Sequence, residues 1–303
     1  MDLTLVQRRT LESLIQVGPG REFGPEVAGA LRERIESRLA DVDLPEGLRL
    51  SKERLNEHGR CPGMFDAVLS GERPPFAHRL ESATGTVLHK AVEQELLLAD
   101  PPPLHEAVEA AVARLGRDKD FGPWWGSLDN AGRGECLMRA ASYLDQFRAS
   151  FPPIGALRRE LAPIAEHWLE VRCARGRVKL IGKVDLVLNA GRPGRSTRVL
   201  VDLKTGMASP EQAEDVRLYA LLHTLRTGTP PCRVATFYVR AGEWQAEDVS
   251  VESLEHAADR VVAAVRTAAE LQAGIPVPLT PGPYCRRCRR RDVCPLSQAI
   301  VRA

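Results

Sequence analysis

Asp202 and Lys204 stand two residues apart in VLVDLKTG (199–206), a β-branched run closed by a turn signal. On a strand, that spacing sends both side chains to one face. The run before it, IGKVDLVL (181–188), carries Asp185, and a turn through Gly191 and Gly194 makes a hairpin that sets Asp185 beside Asp202. Two adjacent carboxylates repel unless a cation sits between them or one keeps its proton. With hard oxygen donors the cation is Mg2+ or Mn2+. A lysine nearby can orient or deprotonate an attacking water, or neutralise charge developing on a phosphate. The plainer alternative is a solvated Asp–Lys salt bridge. Two features argue against it. Only six of the 42 basic residues are lysines, and among those six only Lys204 has an acidic residue two positions earlier. A compact ammonium is also chemically distinct from the guanidinium this chain otherwise uses.

A second cluster lies near the C-terminus. YCRRCRRRDVC (284–294) spaces Cys285, Cys288 and Cys294 as C-x2-C-x5-C and places Arg286, Arg287, Arg289, Arg290 and Arg291 among them. Three thiolates do not complete a four-coordinate site, so a fourth ligand must come from elsewhere. Zinc with three Cys and one His competes with a four-cysteine iron–sulfur cluster, and a basic loop without metal is the alternative. Cys136, Cys173 and Cys232 fall in helix or strand patterns and read as small core residues. Cys61, in GRCPGMF, sits at a Gly/Pro break before a helix and is the best-placed remaining thiol. The five arginines form a basic face suited to phosphates.

These residues need a scaffold. Helical periodicity covers LTLVQRRTLESLI and PEVAGALRERIESRLADV within residues 1–50, which read as a helical arm. LSKERLNEHGRCPGMFDAVLSG follows, with Ser51 as a cap; then come GTVLHKAVEQELLL and helices near 104–116 and 133–150. After Pro152 the pattern changes to three strands, IAEHWLEVRC, RVKLIGKVDLVL and TRVLVDLKTG. A helix capped by Ser209 and Pro210, the strand CRVATFYVR and a long closing helix complete the chain. The fold class is α/β, a mixed central sheet flanked by helices with a helical N-terminal half. The chain divides into the arm, 1–50, and one domain, 51–303, with its core at 152–250 and the cysteine tail at 282–296. Trp124 and Trp125, in DFGPWWGSLDN, read as packing anchors. No apolar run reaches membrane-spanning length and the N-terminus lacks a secretory pattern, so a cytoplasmic location with reduced thiols is expected.

GKVDLVL, then VLVDLKTG, then a helix containing RLYALL together resemble the PD-(D/E)xK nuclease superfamily, specifically its RecB-type branch. The resemblance implies a restriction-endonuclease-like sheet, Asp185 and Asp202 as metal ligands and Lys204 as the catalytic lysine. It adds His89, in the G-x-x-x-H context of GTVLH (85–89), as a further ligand, and Tyr219 as a site residue. Asp215 stands where that branch carries a Gln, with Gln212 a turn earlier. The acidic residue expected upstream is Glu166 or Glu170, with Glu166 slightly favoured. An iron–sulfur subgroup of this branch, which includes AddB-type and CRISPR-adaptation nucleases, has one upstream cysteine and three after the core. Cys61, Cys285, Cys288 and Cys294 match that layout. The resemblance runs from about Ser51 to Pro295. It implies a Mg2+- or Mn2+-dependent deoxyribonuclease, an exonuclease on single-stranded DNA or DNA ends in repair, recombination or defence. It also implies a [4Fe–4S] cluster, zinc being the lesser alternative, that clasps the helical half to the tail. The implied partners are single-stranded DNA or DNA ends and a helicase or other repair or defence protein. The competing expectation is a catalytically silent DNA-binding scaffold, for which Asp215 is the one favourable feature.

Overall fold

The computed structural model describes residues 3–15, 23–44, 47–72, 77–96, 98–189 and 196–296. The expected turn through Gly191 and Gly194 lies outside them. Two helices, α1 (Leu5–Ile15) and α2 (Glu26–Arg38), precede a three-residue strand, β1 (Leu48–Leu50), which falls at the end of the expected arm. The segment opened by Ser51 forms two helices, α3 (Lys52–Arg60) and α4 (Pro62–Leu69), divided at the expected Gly/Pro break. Cys61 between them is extended (φ −162°, ψ 127°), and Pro62 supplies the fixed φ of a first helical residue. The helical half continues with α5 (Leu80–Glu95), α6 (Leu104–Leu115), α7 (Phe121–Ser127), α8 (Asn130–Ser150) and the short α9 (Arg158–Leu161).

The three expected strands are present as β2 (Ile164–Cys173), β3 (Val178–Asn189) and β4 (Arg198–Lys204). They are followed by α10 (Pro210–Thr227), β5 (Arg233–Tyr238), β6 (Glu243–Asp248), α11 (Val251–Gln272) and a 3-10 turn over Pro283–Arg287. The strand order is β1-β3-β4-β5-β6, with β2 on the other edge of β3. Pairing is parallel for β1–β3 and β4–β5 and antiparallel for β2–β3, β3–β4 and β5–β6. The sheet is therefore mixed, as expected. β6 escaped sequence reading because its EWQAED pattern is mostly exposed, as suits an edge strand.

Two apolar cores cover the two faces of the sheet. One joins α2, α3, α4, α10 and α11 to Leu169, Val171, Leu180, Val184 and Leu200. The other joins α1, α5, α6 and α8 to Leu186, Leu188, Val199, Val201 and Leu203. Thus Val184 and Leu186, two residues apart on β3, face opposite cores. Strand alternation would put them on one face, so the period slips at Asp185. The sheet also opens there. β2 pairs along β3 from Val178 to Val187, whereas the other edge of β3 is shared: β1 takes 178–180 and β4 takes 186–189. Residues 181–185 are unpaired on that side. No helix among the described residues is long and apolar enough to cross a membrane.

Candidate active site

Asp185 lies where β3 and β4 separate. One step beyond the last paired residues, Leu186 and Val201, the register sets Asp185 opposite Asp202, as the hairpin argument expected. The Leu203 N–H, which has lost its strand partner, instead donates to Asp185 Oδ2 at 2.7 Å. A carboxylate thus completes the backbone accounting at the split. The cross-strand neighbour of Asp185 on β2 is Glu166, which has a left-handed φ of 50°. Such a conformation costs a non-glycine residue about 1–3 kcal/mol and persists where the surroundings enforce it. Its effect is to turn the Glu166 carboxylate toward the same opening.

His89 arrives from α5. Its helix packs closely on the end of β4 because Gly85, one turn earlier, has no side chain: a Cβ there would stand 3.1 Å from Thr205 Oγ1. His89 Nδ1 lies 3.2 Å from Asp185 Oδ1 and 3.9 Å from Glu166 Oε1. One ligand atom from each of His89, Glu166 and Asp185 lies within 4.8 Å of the others, the geometry of a group able to share a cation. Burial opposes charge on His89, but Asp185, Glu166 and Asp202 outweigh it and raise the imidazole pKa above its ordinary 6.5. Burial likewise opposes charge on Asp185, and His89, the Leu203 N–H and Lys52 hold its carboxyl below the usual range.

Asp202 is 1 % exposed and faces two lysines. Its Oδ2 lies 2.6 Å from Lys204 Nζ without a well-aligned hydrogen bond, and its Oδ1 lies 3.4 Å from Lys52 Nζ. Of the expected metal ligands, then, the structure brings His89 and Asp185 together with Glu166, while Asp202 sits alongside and is turned to the lysines. Asp215, buried on α10, lies 3.8 Å from both ammonium groups and accepts a hydrogen bond from Asn56 Nδ2 at 2.8 Å. Burial raises the Asp215 pKa, and Lys52, Asn56 and Lys204 only partly offset it. Tyr219 is buried with its ring 5.2 Å from Lys52 Nζ, and burial pushes its phenol up.

Among the acidic candidates, Glu170 is outside this group and pairs with Lys179 at 3.0 Å. Gln212 accepts from the Ser209 N–H and from Tyr238 OH, both at 2.8 Å, and so serves the α10 N-terminus. Lys52 was not singled out from the sequence. Its signal was there: it is one of only six lysines, next to a helix-capping position. His89, Glu166, Asp185, Asp202, Lys204 and Lys52 line a cleft of about 790 Å3, whose rim also carries Trp168, 47 % exposed. Trp124 and Trp125 pack instead on Phe121, with ring centroids 5.5 and 5.9 Å away, in keeping with packing anchors.

The four cysteines singled out above, Cys61, Cys285, Cys288 and Cys294, all line a separate pocket of 150 Å3. Burial raises the Cys288 pKa; the Arg290 backbone opposes this, and Cys285, Cys61 and Cys294 are close enough to add to it. Among the described residues, no three of these sulfurs meet the 4.8 Å spacing that groups His89, Glu166 and Asp185. Cys136, Cys173 and Cys232 are buried elsewhere in the cores. Of the tail arginines, Arg290 does not face solvent freely: its guanidinium pairs with Asp66 on α4 and with Glu72, at 3.0 Å for Nε to Glu72 Oε1. Arg286, Arg287, Arg289 and Arg291 are exposed, and Arg291 Nε donates to the adjacent Asp292 at 3.1 Å.

Comparison with known proteins gives a family. The family described as "PD-(D/E)XK nuclease superfamily" matches residues 49–295, most of the chain. No curated protein matches. Among solved structures, one titled "Crystal structure of SSO0001" is 14% identical, with a TM-score of 0.35, covering 90% of this chain and 97% of that one.

Proposed function

The chain belongs to the PD-(D/E)XK nuclease superfamily, and we propose that it is a Mg2+- or Mn2+-dependent deoxyribonuclease of the RecB type, acting on single-stranded DNA or DNA ends. The observation that carries this reading is the convergence of His89, Glu166 and Asp185 beside Asp202 and Lys204 at the floor of an open cleft.

The donor set suits a divalent cation. One imidazole and several carboxylate oxygens match the preferences of Mg2+ and Mn2+, and the buried Asp202 Oδ2 lacks a well-aligned hydrogen-bond donor. Residues His89, Glu166, Asp185 and Asp202 would hold the ion, which supplies Lewis-acid stabilisation of phosphoryl charge and acidifies water. The protein's own groups do the rest. Asp185 holds the strands apart at the split by accepting from Leu203, which keeps the carboxylates at a fixed spacing. Lys204 stands 2.6 Å from Asp202, placed to orient the attacking water and to neutralise charge as the phosphodiester is cleaved. Asp215 and Asn56, on the far side of the lysine pair, limit where those ammonium groups can move.

As part of the same proposal, the four cysteines that line one pocket would hold a [4Fe–4S] cluster, with zinc the lesser alternative. A single zinc with Zn–S bonds of about 2.3 Å draws its sulfurs to within about 4 Å of each other. A cube of four irons, one per thiolate, takes its sulfurs further apart and uses all four cysteines that line the pocket. Its binding would add folding free energy by joining Cys61 to the tail. The exposed Arg286, Arg287, Arg289 and Arg291 beside it would contact phosphates. Cytoplasmic action in repair, recombination or defence, with a helicase feeding DNA, fits such an activity.

Two measurements test this reading. Linear single-stranded and duplex DNA labelled at one end, and internally labelled circular DNA, incubated with Mg2+ or Mn2+, should show degradation that needs a free end; efficient cutting of circles would refute action as an exonuclease. Protein purified without oxygen should be brown and hold about four irons per chain. Stoichiometric zinc without iron would overturn the cluster.

A further inference from the structure

We propose that Lys52 binds a phosphate of the DNA strand in the cleft, as a second site lysine distinct from Lys204; this rests on the nuclease reading above. Lys52 comes from a different part of the fold. Lys204 ends β4, whereas Lys52 is the first residue of α3 and reaches the cleft from the helical half. It stands at the N-terminus of a nine-residue helix, where the partial positive charge of the helix adds to its own. Ser51, at the cap position, makes no side-chain hydrogen bond to that helix end.

The contacts of the two lysines differ in kind. Lys204 Nζ lies 2.6 Å from Asp202 Oδ2, the closer of the two ion pairs to that carboxylate. Lys52 touches the same carboxylate at 3.4 Å and Asp215 at 3.8 Å, and rests over the Tyr219 ring. An ammonium carries three N–H donors. Asp202 Oδ1 takes one and Tyr219 a second. The 3.8 Å contact to Asp215 is too long for a hydrogen bond and leaves one donor for an incoming anion. Its side chain is 22 % exposed and lines the cleft, so an anion can reach it. Any cation that Asp202 shares would weaken the nearer of the two contacts and leave Lys52 more available.

This assignment also accounts for Asp215. In the resemblance noted above a Gln occupies that position. With two lysines in the site instead of one, a buried carboxylate 3.8 Å from both balances a charge that a Gln would leave uncompensated. Asp215 is the counter-ion of a two-lysine site, and its presence does not mark a silenced enzyme.

The test is the salt dependence of DNA binding. Each phosphate neutralised on a single strand contributes about 0.7 to the slope of log affinity against log salt. A fluorescein-labelled single-stranded oligonucleotide is titrated with the full-length protein in Ca2+ buffer, followed by anisotropy over a range of KCl. Lys52→Met should lower the slope by about 0.7 and weaken binding about fivefold near 0.1 M salt. Lys52→Arg should keep the native slope. Since Lys52→Met leaves a buried Asp215 short of a partner, Lys52→Met/Asp215→Asn is measured beside it and should show the same slope. An unchanged slope in both methionine variants, whatever their stability, overturns the proposal while leaving the nuclease reading in place. Absence of any salt-dependent DNA binding by the native protein would overturn that reading, and the Lys52 proposal with it.

Discussion

The cleft and the cysteine pocket are built in opposite ways. The cleft is assembled from the middle of the sheet. Asp185 and Asp202 sit on paired strands, Glu166 is fixed by the adjoining strand and His89 by a helix packed through Gly85. Each charge there already faces an opposite one: His89 with Asp185, Lys204 with Asp202, Lys52 between Asp202 and Asp215. The cysteine pocket is assembled from irregular backbone at remote points of the chain, an extended residue between two helices and a 3-10 turn. Among the described residues, its ion-pair fastening is Arg290, which reaches 224 residues back to Asp66 and also pairs with Glu72. A site on rigid elements keeps its geometry without a ligand. A site on loops gains much of its order from one.

That contrast can be broken experimentally. The largest effect is expected from Cys288→Ser: loss of all cluster iron and several kcal/mol of stability, read by iron analysis and thermal denaturation. Iron-replete, fully stable Cys288→Ser protein would mean that this thiol is no ligand. Next is Glu166→Gln, expected to weaken Mn2+ binding about 10–100-fold in calorimetry while leaving the thermal midpoint nearly unchanged. A large drop in midpoint instead would make Glu166 a structural residue.

The pH dependence of Mn2+ binding should be smaller per step. His89 is held protonated above its ordinary 6.5, and its proton must leave before the ring can ligate. Below that raised pKa, affinity should therefore fall about tenfold for each unit of acidification, and level off above it. His89→Asn should bind more weakly and with a flatter profile. The smallest effect is expected from Arg290→Ala. Its partners are part-exposed, so the loss should be about 1 kcal/mol in the cluster-free protein, and less once a cluster joins the same segments.

The sequence disclosed the parts of the cleft whose position depends on local period. Asp202 and Lys204 share a face because they are two apart on a strand, and Asp185 meets Asp202 because the strands form a hairpin. His89 was recognisable only through the spacing to Gly85, whose purpose is the close approach to Thr205. What stayed hidden depends on tertiary events. The slip in alternation at Asp185 and the left-handed backbone at Glu166 follow from how β1 and β4 divide one edge of β3. Lys52 looked like an ordinary first-turn residue until α3 was laid against the sheet. β1 is three residues long, too short to leave a pattern. The mixed sheet was legible because helix runs change to strand runs abruptly after Pro152. Among the tail arginines, the sequence could not distinguish Arg290, tied to Asp66 and Glu72, from its exposed neighbours.

The central claim is that the buried Asp202 belongs to a metal-dependent DNA-cleaving site. Its most direct test is cleavage of end-labelled DNA by Asp202→Asn protein in Mg2+ or Mn2+, with thermal denaturation to show that the variant is folded. Cleavage should fall by about 10³-fold or more relative to the native chain. Metal-dependent cleavage at the native rate by folded Asp202→Asn protein would contradict the account.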